Sequence, residues 1–202
     1  MIMDCDRIDL AEEFSTKDFL LSEDIMYEGD KVKILQKVKS QRQHVEEAMT
    51  KLKDEESVQN FTQYDIERQL MDNTTEKQFS KYKKLLNKLE TITHLIFSLS
   101  VRINEKKIFN SKHQGLVMLK YQMNNAKEVL VEIEKNLEQF LLFLSVNINP
   151  KFCDTFTNFI NKKKHNICLR RALVRELYFI HLKFDIVNLL WTKKNPEKIL
   201  LK

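Results

Sequence analysis

Residues 116–144 read LVMLKYQMNNAKEVLVEIEKNLEQFLLFL. Leu116, Leu119, Met123, Ala126, Leu130, Ile133, Leu137, Phe140 and Leu144 follow one another at alternating steps of three and four, while Lys127, Glu128, Glu132, Glu134 and Lys135 stay off that line. Two apolar positions in seven is the seam of a coiled coil. At ~1.5 Å per residue the helix is about 45 Å long, too long for a compact globule of this mass, so it needs an equally long partner.

The flanking sequence supplies three more helices. From Lys31 the seam is Leu35, Val38, Arg42, Val45, Met49 and Leu52. It fails at Asp54-Glu55-Glu56 and resumes loosely at Val58, Phe61, Ile66 and Leu70, which predicts a helix to about Met71 with a seam shift or bend. Asp72 to Glu76 is a break, with Asn73 the expected N-cap and Glu76 its capping-box carboxylate. The second helix runs through Tyr82, Leu86, Leu89, Ile92, Ile96, Leu99 and Ile103 to about Phe109, and Asn110 to Gly115 is a connector. After the third helix, Asn149 caps a fourth that begins at Pro150, carries Phe152, Phe156, Phe159 and Ile160, crosses Lys162-Lys163-Lys164, and regains a seam at Leu173, Leu177, Ile180, Phe184, Val187 and Trp191. Pro196 marks its end.

Ile92 to Leu99, Leu137 to Leu144 and Leu173 to Trp191 are broader than a two-stranded seam, so three- or four-helix packing is expected there and two-helix arms elsewhere. Apolar surface left on the arms points to a dimer. The fold class is all-α, with long helices in a segmented coiled coil.

Composition excludes the alternatives. Among 202 residues there are two glycines and two prolines, against roughly 7% and 5% in an average chain, too few turn-formers for sandwiches, barrels or doubly wound sheets. The net charge is +5, but residues 1–30 hold ten acids and two bases whereas 150–202 hold twelve bases and four acids. The first 30 residues, with apolar clusters at Ile8, Leu10, Phe14, at Phe19 to Leu21 and at Ile25 to Tyr27, read as an acidic arm, partly helical or disordered. The helical domain spans 31–192 and a tail 193–202. The N-terminus is acidic where a signal peptide is basic, no apolar run reaches the ~18 residues of a membrane span, and Cys5, Cys153 and Cys168 are an odd number without a CxxC pair. A cytoplasmic chain is expected.

Catalytic signatures are missing from the sequence. His44, His94, His113, His165 and His181 are scattered, without HExxH, GxSxG or a phosphate loop, and neither an enzyme nor a cofactor is expected. Cys153, His165 and Cys168 offer three metal ligands at spacings of no common structural site, so no metal is assigned. Lys162 to Lys164 with Arg170, Arg171 and Arg175 read first as a solvated basic face and only second as a site for nucleic acid or anionic lipid. Arg42, at a seam position, sets register, meets an acid across the seam or marks the place where the arm accepts another helix, because a lone buried charge is costly.

The second helix opens with Phe79-Ser80-Lys81-Tyr82 and continues His94-Leu95-Ile96-Phe97-Ser98-Leu99-Ser100-Val101-Arg102-Ile103-Asn104-Glu105. This resembles the C-terminal Apx/Shroom domain 2 of the Shroom family, which has a similar F-x-K-Y start and an L-L-L-S-L-S-G-R-L signature. Val101 stands where the family has glycine. Gln122, Ala126, Lys127 and Glu128 match its Q-x-x-x-A-R-E pattern more loosely. The resemblance covers about residues 31–192 and is strongest over 79–107.

The resemblance implies an elongated antiparallel coiled-coil homodimer that catalyses nothing and binds the coiled-coil region of Rho-associated kinase. Its kinase-binding residues are expected at Lys81, Tyr82, Ser98, Leu99, Ser100, Arg102, Asn104, Glu105, Lys127 and Glu128. Recruited kinase would promote myosin II activation, actomyosin contraction and apical constriction, with indirect association with actin and a cytoskeletal location at apical junctions. Beside this stand a purely structural coiled-coil tether and a basic helical module for nucleic acid or membrane.

Overall fold

The computed structural model describes residues 28–108 and 113–194, which form four helices with no strand among them: α1 Glu28–Asn73, α2 Glu76–Ile108, α3 His113–Asn147 and α4 Pro150–Lys194. Most of the expected acidic arm and of the tail, Phe109 of the expected second helix and residues 110–112 of the connector lie outside the described residues. The last three residues assigned to the arm already belong to α1, and His113 to Gly115 to α3.

Helix ends follow local side-chain chemistry. Asn73 does not cap α2; it is still in α1, where its Nδ2 donates to the Gln69 carbonyl at 2.8 Å. Thr75 is the cap: its hydroxyl accepts the Gln78 N–H at 3.4 Å, and Gln78 Oε1 accepts the Thr75 N–H at 2.8 Å. The capping box is thus Thr75 with Gln78, two residues beyond the expected Asn73 cap. Asn149 does cap α4, its Oδ1 accepting the Lys151 N–H at 3.0 Å, and Pro150 fills the first position, where a missing N–H costs nothing.

The described chain divides into two compact units, 54–108 with 113–169 and 28–53 with 170–194, so α1 and α4 contribute to both. In the first unit all four helices share one core. Ile66 and Leu70 come from α1, Tyr82 to Ile103 from α2, Leu119 to Leu144 from α3, and Phe152, Phe156, Phe159 and Ile160 from α4. Tyr82, Phe140 and Phe156 join three of the helices, with ring centroids 5.8 to 6.3 Å apart. Numbering rises along α2 as it falls along α3: Tyr82 meets Phe140, and Leu85 to Ile92 face Val129 to Asn136. In the second unit α1 buries Val38, Val45 and Leu52 while α4 buries Ala172, Leu173, Ile180 and Val187.

The expected seam shift in α1 does not occur. Val38, Val45, Leu52, Gln59 and Ile66 are all buried and all seven apart, and α4 has the same step in Phe159, Asn166, Leu173, Ile180 and Val187. Gln59 keeps the period that apolar residues lose: its Oε1 accepts from Asn166 Nδ2 at 3.1 Å and its Nε2 donates to the Phe159 carbonyl at 3.3 Å. Val58 and Phe61, taken for seam residues, are 61% and 73% exposed. Arg42 also leaves the seam, pairing at 2.8 Å with Glu46 one turn on, since a guanidinium in an apolar seam without a facing acid would carry the cost of burial uncompensated.

Candidate functional site

On α2 the buried positions Tyr82, Leu85, Leu89, Ile92, Ile96, Leu99 and Ile103 alternate at three and four. One residue earlier at each step runs a second line: Lys81, Lys84, Lys88, Thr91, Leu95, Ser98 and Arg102, continued by Glu105. At 100° per residue these share one flank of the helix. Lys81, Lys84, Lys88, Thr91 and Arg102 are exposed, Leu95 is 45% exposed, and Ser98 and Glu105 are half-buried. An open groove of about 380 Å³ lies between α3 and the part of this line at Lys88 and Thr91, with Leu85, Ile92 and Ile133 in its floor and Lys88, Thr91, Val129 and Glu132 along its walls.

Four of the ten expected binding residues, Lys81, Ser98, Arg102 and Glu105, therefore share one flank of α2, with Lys81 about 25 Å along the helix from Ser98, the nearest of the other three. Ser98 is tied down, its hydroxyl donating to the His94 carbonyl at 2.9 Å, whereas Arg102 offers an exposed planar fork suited to a carboxylate. Ser100 and Asn104 each fall 200° round the helix from Ser98 and Arg102 and belong to the other flank. Lys127 and Glu128 are exposed on α3 and are not among the groove residues.

Leu99 and Tyr82 are not surface residues at all, being 3% and 0% exposed. Tyr82 is enclosed by Phe79, Phe140 and Phe156. Its hydroxyl is buried without a hydrogen-bond partner, and burial, with the nearby negative Glu67 and Glu90, pushes its pKa well above the usual phenol value.

Of the basic run of α4, Lys163 and Lys164 turn inward, 16% and 10% exposed, while Lys162 stays 48% exposed. Lys162 reaches Glu55 of α1 at 3.9 Å, Lys163 reaches Glu90 of α2 at 2.8 Å, and Lys164 reaches Glu134 of α3 at 2.7 Å. Three consecutive lysines thus meet acids on three different helices, because 100° per residue aims neighbours in three directions. Lys163 also donates to Gln63 at 3.0 Å and lies over the Phe159 ring. Sequence reading missed these pairs; the acids on the other helices become partners only once the fold brings them together.

Among the described residues no three His, Cys, Asp or Glu side chains form a group that could hold a metal. Cys153 and His165 are twelve residues apart on one helix, about 18 Å, which rules them out as a joint site. Burial, then Asp154, raises the Cys153 thiol pKa, and Cys168 is buried. No described helix is long and apolar enough to cross a membrane. In comparisons with known proteins, no protein-family model and no curated protein matches the chain.

Proposed function

We propose that the chain is a non-catalytic helical docking module, a Shroom domain 2-like protein that binds the coiled-coil region of Rho-associated kinase through the α2 line from Lys81 to Glu105 and the groove beside it. The observation that carries this reading is that continuous line: Lys81, Lys84, Lys88 and Arg102 share one flank of α2 at helical spacing, and at Lys88 and Thr91 the line borders an open apolar groove, the form that receives a further amphipathic helix. The resemblance over Phe79 to Glu105 supplies the kinase as its partner. Recruitment would place the kinase where myosin II is activated and actomyosin contracts, at a cytoskeletal site.

In this reading the protein self-associates as a segmented antiparallel coiled coil, and Phe61, Tyr64 and Met71, 60 to 73% exposed on α1, provide apolar surface for the second copy. A basic module for nucleic acid or membrane is disfavoured because two of its three consecutive lysines, Lys163 and Lys164, are turned inward and paired with acids.

Calorimetric titration of the full chain with a recombinant kinase coiled-coil segment tests the proposal. Saturable binding at micromolar Kd or tighter, about 8 kcal/mol, is expected. Arg102→Ala should weaken it about tenfold or more, the loss of a charge-assisted contact, with helicity and oligomeric state unchanged. A folded chain that shows no binding leaves a structural tether as the reading.

A further inference from the structure

The second unit is strongly basic. Residues 28–53 and 170–194 hold thirteen bases and six acids, a net +7, whereas the described residues of the first unit hold sixteen bases and fourteen acids. Between α1 and α4 of this second unit lies an apolar groove of about 440 Å³, formed by Val32, Leu35 and Val38 with Ile180 and Phe184, and bordered by Lys39 and Arg42. Val32 is 50% and Phe184 48% exposed. Val174, also 50% exposed, extends the same side of α4 through the spacing Val174, Leu177, His181, Phe184. Two helices alone leave this surface uncovered among the described residues.

Directly before α1 stand 27 residues with eight acids and two bases, a net −6, and three apolar clusters around Leu10, Phe14, Leu20 and Ile25. They join α1 four residues ahead of Val32, the first groove residue. The groove residues of α1 span about 15 Å and 27 residues cover about 40 Å even when helical, so reach is no obstacle. A short tether also sets an effective concentration on the order of millimolar. A second copy of the chain would bring the same +7 surface against itself, and like charge opposes that pairing.

We infer that residues 1–27 dock in cis in the α1–α4 groove of the second unit, placing their apolar residues against Val32, Leu35 and Phe184 and their carboxylates near Lys39 and Arg42. Charge steers the segment to the basic unit, and apolar burial holds it in the groove.

The test is zero-length carbodiimide cross-linking of the full chain, in an equal mixture of 14N and 15N protein read by mass spectrometry. Links from acids between Asp4 and Asp24 to Lys39 within chains of one isotope are expected. Phe14→Ser with Phe19→Ser, outside all four helices, should reduce them about tenfold. Mixed-isotope links would identify a second copy as the occupant and overturn the inference, as would links chiefly to lysines of 54–169. Links undiminished in the double variant would show charge attraction without docking and overturn it equally.

Discussion

Tyr82 is enclosed by rings from α2, α3 and α4, yet its hydroxyl has no hydrogen-bond partner. In the unfolded chain a tyrosine ionises near pH 10, whereas in the fold burial and two nearby glutamates hold Tyr82 neutral to higher pH. Its contribution is therefore constant below about pH 10 and is lost as pH rises above that value. Tyr82→Phe keeps the ring and removes a buried, unpaired polar group. It should leave stability at pH 7 equal or up to about 2 kcal/mol higher, and urea midpoints from pH 8 to 11 should diverge in favour of Phe above pH 10. A less stable Phe variant at pH 7 would show that the hydroxyl is satisfied after all. The three lysines after Asn161 teach a related lesson at the same scale. A run of like charge reads as solvated because sequence shows the lysines but not which acid each will face, and here Glu55, Glu90 and Glu134 come from 28 to more than 100 residues away.

Along the helices, periodicity made α2 and α3 legible to within a few residues, since their seams are apolar almost throughout. It failed in α1 after Leu52 because the next two seam positions are Glu56 and Gln59, and a count of apolar residues moved instead to Val58 and Phe61, which are exposed. The matching gap in α4 is Asn166, so each polar residue is intelligible only through the other. This pair predicts a measurable asymmetry. Gln59→Leu alone leaves the Asn166 amide buried without its partner and should cost about 1–3 kcal/mol. Gln59→Leu with Asn166→Leu should recover most of that loss, because an apolar pair needs no hydrogen bond, and a double-mutant cycle from urea denaturation gives the coupling. Purely additive losses would mean that the amide pair is not a unit. The cost of replacing both is specificity: a buried polar layer penalises registers that separate its members. The same reasoning explains the misplaced α2 cap. Asn73 and Thr75 both have capping side chains, and only the fold shows that Asn73 is still bonded back to Gln69.

For the molecule as a whole, the four-helix order and the broad core around Leu137 to Leu144 were readable from where apolar residues exceed a two-stranded seam. The candidate surface was readable only in part. A signature quoted as consecutive residues, Ser98 to Glu105, wraps the helix, so Leu99 enters the core and Ser100 and Asn104 leave the flank that Ser98 and Arg102 share. Spacing at three and four already sets Ser98, Arg102 and Glu105 in one stripe beside the seam, and continued back to Lys81 it gathers the rest of the line that the fold displays. The central claim is that this α2 line and its groove receive a partner helix. Hydrogen exchange of the full chain with and without saturating kinase coiled-coil segment tests it most directly: slowed exchange is predicted over residues 81–105 of α2 and the facing 118–136 of α3, while unchanged exchange there at saturating segment would contradict it.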